Sequence, residues 1–492
     1  MEKLLTLLKT SAWQEMLAIT DVWATRFMLL AAILLVGGVA IQTPTAGDTL
    51  QAGLAAQSQQ EYWRAEAFFQ QATLIAPNDA QPWLDLARLH LLEHQDDLAQ
   101  NELETADNLA PGSADIWLTL GDVAHDQGHL QDAEDAWLRA THLTPAAAQM
   151  QAHERLGIFY EEQGRWQQAE AQFAALPASD TLAQYHLGAL LLERGDRAAA
   201  RQAFEAALNQ TTNNDQHDAA QRFLQVLDQW NGSAQSQELL GFTYIQNALP
   251  ALAIAPLQQA IALAPQDATA HAYLGWAYLQ TGSASQAQQE ENRAVKLDPG
   301  ASFANYVLSL LALAGGNYAS ASHDLDVALS RDPQNPVLWA TRGQIAEQLN
   351  DLPTAENNLI QAVKHAGDDP QFSLLLATFY ANHQIGLEDG TALSAAQTAV
   401  ALNPASGLAY DALGLIQQDL RNFPAAMNAF LEAVNLAPTN ATLHLHLGNT
   451  LAILGYLRSA ELNLHKAMVL DFNGPIAKQA RLLLQTLPPL DV

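Results

Sequence analysis

AIALAP at 260–265, AVKLDP at 294–299 and ALSRDP at 328–333 are one frame, an alanine followed five residues later by a proline, repeated every 34 residues. The pair recurs at Ala72/Pro77, Ala106/Pro111, Ala140/Pro145, Ala399/Pro404 and Ala433/Pro438. A fixed period of this length is the mark of a repeat architecture, in which each unit buries its apolar face on the next. Ten residues beyond most of these prolines stands a small residue, usually behind leucine: Gly121, Gly275, Gly414 and Gly448, with Gly343 in phase. Helices approach closely only where side chains are small, so a glycine in a first helix and two alanines in a second mark a predicted crossing. Proline then ends the second helix by ring clash and by its missing N–H. The expected unit is helix, turn, helix, turn.

In these positions the chain resembles the tetratricopeptide repeat family, whose pattern sets Trp, Leu-Gly, Tyr, Ala, Phe, Ala and Pro at fixed offsets. One copy reads Ile116, Trp117, Leu120, Gly121, Ala133, Trp137, Ala140 and Pro145; a second reads Tyr273, Leu274, Gly275, Tyr278, Ala287, Ala294 and Pro299. The resemblance covers about twelve copies over roughly residues 46–474. It implies an all-α fold, a right-handed α-solenoid of helix-turn-helix repeats. It further implies a concave groove, lined mainly by first helices, that holds partner proteins or peptides.

Composition narrows the partners. The chain has 492 residues, 49% apolar and 15% charged, with a formal net charge of −30. Such an acidic balance disfavours nucleic acid, whose phosphates call for Lys and Arg patches. Basic or apolar protein segments fit better, and self-association of an alanine-rich array stays open. Cysteine is absent, which excludes disulfides, thiolate metal sites and a cysteine nucleophile.

Residues 1–21 read as an amphipathic helix with Leu4, Leu5, Leu8, Trp13 and Leu17 near one face. Phe27 to Ile41 carries no charge, and ~1.5 Å per residue makes it too short by itself for a ~30 Å hydrocarbon core. Residues 22–45 are therefore the expected transmembrane helix or signal anchor, preceding the repeats. A cleaved signal peptide and a buried helix capping the array are the competing readings. Lys3, Lys9 and Arg26 precede the uncharged run Phe27 to Ile41 and no Lys or Arg follows until Arg64, which places the N-terminus in the cytoplasm and the repeats outside.

The repeats divide into a first array at 46–214, about five copies, and a second at 234–474, about seven. Between them 215–233 supplies one unpaired helix, with Ala220, Phe223, Leu224, Leu227 and Trp230 on one face, expected to bend the stack. Residues 475–492 give a capping helix and tail.

Catalytic motifs are missing: no Gly-rich phosphate loop and no nucleophile elbow. His90 to His94 matches a His-x-x-Glu-His zinc spacing, but His90 stands where the repeat wants tyrosine and no protease domain surrounds it. The motif is read as coincidence, with no catalytic residue, metal or cofactor expected. His444 and His446 are expected to pack or face solvent.

With the small residue as the eighth place of each repeat, the resemblance implies that the second, fifth, ninth, twelfth and thirteenth places face the groove. In the third and fourth repeats these hold Asp115, Asp122, Asp126, Glu154, Glu161 and Glu162; in the seventh and eighth, Trp276, Phe303, Tyr306 and Leu310. The expected surface is a negative first half and an aromatic middle. An acidic face is more often solvated surface, and aromatics at helical spacing are more often core. The function expected is a non-enzymatic, membrane-anchored scaffold that assembles a membrane or envelope complex. The alternative is a soluble or secreted adaptor whose apolar N-terminus is cleaved or buried.

Overall fold

The computed structural model describes residues 45–58, 62–92, 95–210, 214–471 and 474–488. The anchor expected at 22–45 and the amphipathic stretch before it thus lie, but for Thr45, outside the described residues, as does His94. Among the described residues no helix is long and apolar enough to cross a membrane.

The described chain is all-α, with 26 helices following one another as first and second members of repeats. They are α1 (Ala46–Ser58), α2 (Tyr62–Ile75), α3 (Ala80–Leu92), α4 (Asp96–Leu109), α5 (Ala114–Asp126), α6 (Leu130–Ala140), α7 (Ala146–Glu162) and α8 (Trp166–Ala174). Next come α9 (Thr181–Glu193), α10 (Arg197–Gln210), the single helix α11 (Asn214–Asp228), α12 (Ala234–Gln246), α13 (Pro250–Leu263), α14 (Ala268–Gln280) and α15 (Ala284–Leu297). Then follow α16 (Ser302–Ala314), α17 (Tyr318–Arg331), α18 (Pro336–Gln348), α19 (Leu352–Ala366), α20 (Pro370–His383) and α21 (Thr391–Leu402). Last are α22 (Gly407–Asp419), α23 (Phe423–Leu436), α24 (Ala441–Ile453), α25 (Leu457–Leu470) and the cap α26 (Pro475–Thr486).

Two units hold these helices: one runs to His90 and takes in Asn101–Ala110, and the other is Leu91–Gln100 with everything from Pro111 on. In the first unit Tyr62, Phe69, Leu86 and Leu89 form the core. In the second, a continuous apolar cluster runs from Ala114 to Ala287, followed by smaller clusters along the later repeats.

The crossing of each pair differs from the expectation in one respect. The repeated alanines are fully buried, as at Ala133, Ala140, Ala287 and Ala294. What lies on the glycine, however, is a large side chain sixteen residues later: Trp137 on Gly121, Phe173 on Gly157, Phe430 on Gly414, Leu464 on Gly448. A Cβ added at Gly157 would come within 2.5 Å of the Phe173 ring. The glycine is a socket for that side chain, and each such apolar side chain contributes about 1.5–3 kcal/mol by burial.

Proline stops the second helices as expected: α13 ends at Leu263, the N–H of Ala264 bonds to the carbonyl of Ala260, and Pro265 follows. Two residues beyond, Asp267 accepts hydrogen bonds from the N–H groups of Thr269 and Ala270 and caps α14. Asn335, Asp369, Ser406 and Asn440 cap later first helices in the same way.

Helix α11 packs by Ala220 and Phe223, both fully buried, with Leu227 nearly so. Phe223 stacks on Phe204 at 4.8 Å and meets Tyr244 edge-on at 5.2 Å. The flanking repeats still touch, since the Tyr244 hydroxyl donates to the carbonyl of Ala189 at 2.8 Å.

Candidate partner-binding groove

In the third and fourth repeats, Asp122 of α5 is half-buried and accepts from the Trp137 indole N–H at 3.1 Å and from Arg155 Nε at 3.2 Å. Burial raises its pKa, against the pull of Arg155. The His125 ring lies 5.6 Å from that of Trp137. These residues, with Asp126, Ile158, Phe159 and Glu162, line a cavity of about 360 Å³.

Three of the six carboxylates named from sequence, Asp122, Asp126 and Glu162, therefore share one hollow. Asp115 is half-buried elsewhere. Glu154 is half-buried and hydrogen-bonds Asp180, the cap of α9; burial and the Asp180 charge both raise its pKa. Glu161 is a correction. It is buried, 7% exposed, with one oxygen 2.7 Å from His186 Nδ1 of the next repeat, and offers no groove surface. Arg155 is the residue sequence reasoning missed. It brings a cation into the hollow and offsets part of its negative charge.

The aromatic residues do come together, and more of them than expected. Phe242 of α12 stacks on Tyr273 of α14 at 4.7 Å and 25°. Tyr273 meets Phe303 of α16 edge-on at 5.6 Å, and Trp276 meets the same ring at 5.8 Å. Tyr306 completes the ladder at 6.4 Å from both Trp276 and Phe303. Phe303 is 37% exposed and the other four are half-buried, so every ring of the ladder keeps some surface open to solvent. Tyr306 also leans on the core of Leu325, Leu329 and Leu338, and Leu310 is half-buried beside it in sequence.

At the edge of the ladder Glu238 of α12 hydrogen-bonds Asp267. Its pKa is pushed up to about 7, by burial first and then by the Asp267 charge. The same two carboxyls, after burial itself, raise the Tyr273 hydroxyl, which puts them beside that ring.

The histidine motif has a structural explanation. His90 is buried, 2.8 Å from Glu102 and 3.7 Å from Glu66. Burial opposes its charge, but the two glutamates outweigh it and push the pKa up to about 9. Among the described residues no group of three or more His, Asp or Glu side chains is placed to hold a metal. His444 is buried between Asn463 and the carbonyl of Pro438, and His446 lies 2.7 Å from Asp411.

Family models described as tetratricopeptide repeat match residues 97–148, 118–183 and 239–302, 312–378, and 408–440, together about half of the chain. The chain is a tetratricopeptide repeat protein, a member of a scaffold class. No curated protein matched it in sequence. Among solved structures it is similar to the Cut9–Hcn1 hetero-tetramer of APC/C, at 14% identity over 90% of this chain and 96% of that one, with a TM-score of 0.38. Yeast Tom70 follows at 15% identity, 89% and 95% coverage and a TM-score of 0.37. YrrB, a TPR protein with an unusual peptide-binding site, gives 21% identity, 39% and 97% coverage and a TM-score of 0.35.

Proposed function

We propose that the chain is a non-enzymatic scaffold, tethered to a membrane through residues 22–45, whose repeats hold partner proteins in assembling a membrane or envelope complex. The observation that carries the docking half is the open aromatic ladder of the sixth to eighth repeats. Rings left part-exposed in contact with one another form an apolar surface without an internal occupant. The acidic hollow around Asp122 offers a second contact for a basic segment. The tether, with the N-terminus cytoplasmic and the repeats outside, rests on the uncharged run Phe27 to Ile41 and on Lys3, Lys9 and Arg26 before it.

Alkaline and high-salt extraction of membranes tests the tether: a spanning helix keeps the chain in the pellet. Release into the supernatant would favour the soluble or secreted adaptor. Cross-linking in cells followed by capture tests docking, comparing the natural chain with Phe303→Ala and with Asp126→Asn/Glu162→Gln. Partner recovery indifferent to all three substitutions would remove the groove from the function.

A further inference from the structure

The chain already shows how it uses arginine against its own rings. Arg139 lies 3.8 Å over Trp117, Arg197 4.2 Å over Trp230, Arg165 4.3 Å over Tyr160 and Arg64 5.8 Å over Phe68. Among the described residues no cation covers a ring of the Phe242–Tyr306 ladder. A ring face with its negative quadrupole turned to solvent attracts a guanidinium, by about 0.5–2 kcal/mol according to how far the site is dehydrated.

The carboxyls beside the ladder are unmatched in the same sense. Glu238 and Asp267 form no ion pair with any Lys, Arg or His of the described residues, and burial together with the Asp267 charge pushes the Glu238 carboxyl up to about 7. The equivalent pair in the fourth repeat, Glu154 and Asp180, has the charge of Arg155 beside it. Two adjoining carboxyls with no cation between them are a receptor for one: a guanidinium placed there can bond both in its planar fork, and its charge displaces the proton that Glu238 carries when neutral.

We propose that the ladder of Phe242, Tyr273, Trp276, Phe303 and Tyr306 and the Glu238–Asp267 pair together seat an arginine side chain of an extended partner segment. The guanidinium stacks on the rings and bonds the carboxyls. This deepens the docking reading above and rests on it. It selects arginine over lysine, because an ammonium neither stacks as a plane nor bonds two carboxylates in a fork. It also makes the seat a proton exchanger: arginine enters as Glu238 loses its proton. The groups facing that proton are Asp267, from the cap of α14, and the Tyr273 hydroxyl on α14.

The test is calorimetry on the full chain with a synthetic extended peptide carrying arginine at alternate positions, and with its twin carrying neutral citrulline. The expected result is binding of the arginine peptide roughly tenfold tighter than of the citrulline twin. About half a proton is released at pH 7, read from buffers of different ionisation heat, and affinity rises from pH 6 to pH 8. Glu238→Gln abolishes both the preference and the proton release. Phe303→Leu, a change at an exposed ring, weakens the arginine peptide while leaving the proton release per bound peptide. Asp267→Asn, which keeps the helix cap and so guards against a folding artefact, should also lose the preference for the arginine peptide, and an undiminished preference there would overturn the seat. Equal affinity for the two peptides would overturn the arginine seat and leave an apolar docking surface standing. Undiminished arginine binding in Glu238→Gln, or no binding of either peptide, would overturn the seat as well. The cross-linking outcome, read separately, decides whether the groove docks partners at all.

Discussion

Glu291 stands where every comparable repeat has a large apolar side chain. Sixteen residues after Gly121, Gly157, Gly414 and Gly448 come Trp137, Phe173, Phe430 and Leu464; sixteen after Gly275 comes a glutamate. It fills the socket, since a Cβ on Gly275 would lie 2.5 Å from its Oε1, and it is fully buried with neither oxygen hydrogen-bonded. Burial first, and then the charge of Glu290, push its pKa up to about 9, against 4.5 for an ordinary glutamate. At pH 7 the folded carboxyl is neutral and the solvated one is ionised, so closing the seventh repeat takes up a proton. Two and a half pH units of that mismatch cost about 3 kcal/mol. The folded state binds more protons between pH 4.5 and about 9, so this penalty is absent at the acid end and grows by about 1.4 kcal/mol per pH unit up to the folded value.

Glu291→Leu should therefore stabilise the repeat by about 3 kcal/mol at pH 7, with a further gain from removing a buried group that bonds nothing. Glu291→Gln should recover only the proton penalty. Repeat arrays open by segments, so a single unfolding free energy is ill-defined and the measurement belongs at the repeat itself. Hydrogen–deuterium exchange of peptides covering 268–297, corrected for the intrinsic pH dependence of exchange, reports the opening equilibrium. In the natural chain that equilibrium should rise about tenfold per pH unit from pH 5 to pH 8, and in both variants it should be flat. A slope in Glu291→Leu equal to that of the natural chain would refute the reasoning, because the proton would then belong to another group.

Two further perturbations test the packing. His90→Gln should cost on the order of 2 kcal/mol locally at pH 6. The raised pKa means that the stabilisation is full below about 6.5 and disappears as pH rises through about 9, so melting curves of the two proteins should converge at alkaline pH. Gly157→Ala, which drives a methyl to 2.5 Å from the Phe173 ring, should cost about 1–3 kcal/mol in a thermal melt. Gly112→Ala, with nothing within 4 Å of the added carbon, should stay within about 0.5 kcal/mol.

What the sequence disclosed and what it hid follow from where each constraint acts. The helix pairs were readable because their constraints are steric and fall inside one repeat: proline ends a helix wherever it stands, and a glycine in phase needs a neighbour. The groove is made between repeats, and counting places within one repeat does not see it. Tyr273, at the sixth place, stacks on Phe242 at the ninth place of the preceding repeat; Arg155 reaches Asp122 through the same two places. The twelfth place faces the next repeat too: Glu161 vanishes under His186 there, while His125 lies against Phe159 at 6.4 Å. Asp267 escaped for another reason. It lies outside the helix whose places were counted and reads as a cap, and it is a cap, yet the first turn of α14 carries it against Glu238 of the preceding first helix. Pairing each ninth place with the following sixth, and each fifth with the following cap, joins Phe242 to Tyr273 and Glu238 to Asp267 from letters alone. It also joins Asp122 to Arg155 and Glu154 to Asp180. The two sites then differ by one feature: Arg155 sits beside Glu154 and Asp180 and pairs with Asp122, whereas no Lys, Arg or His of the described residues pairs with Glu238 or Asp267, which is why the proposed arginine seat falls at the later site.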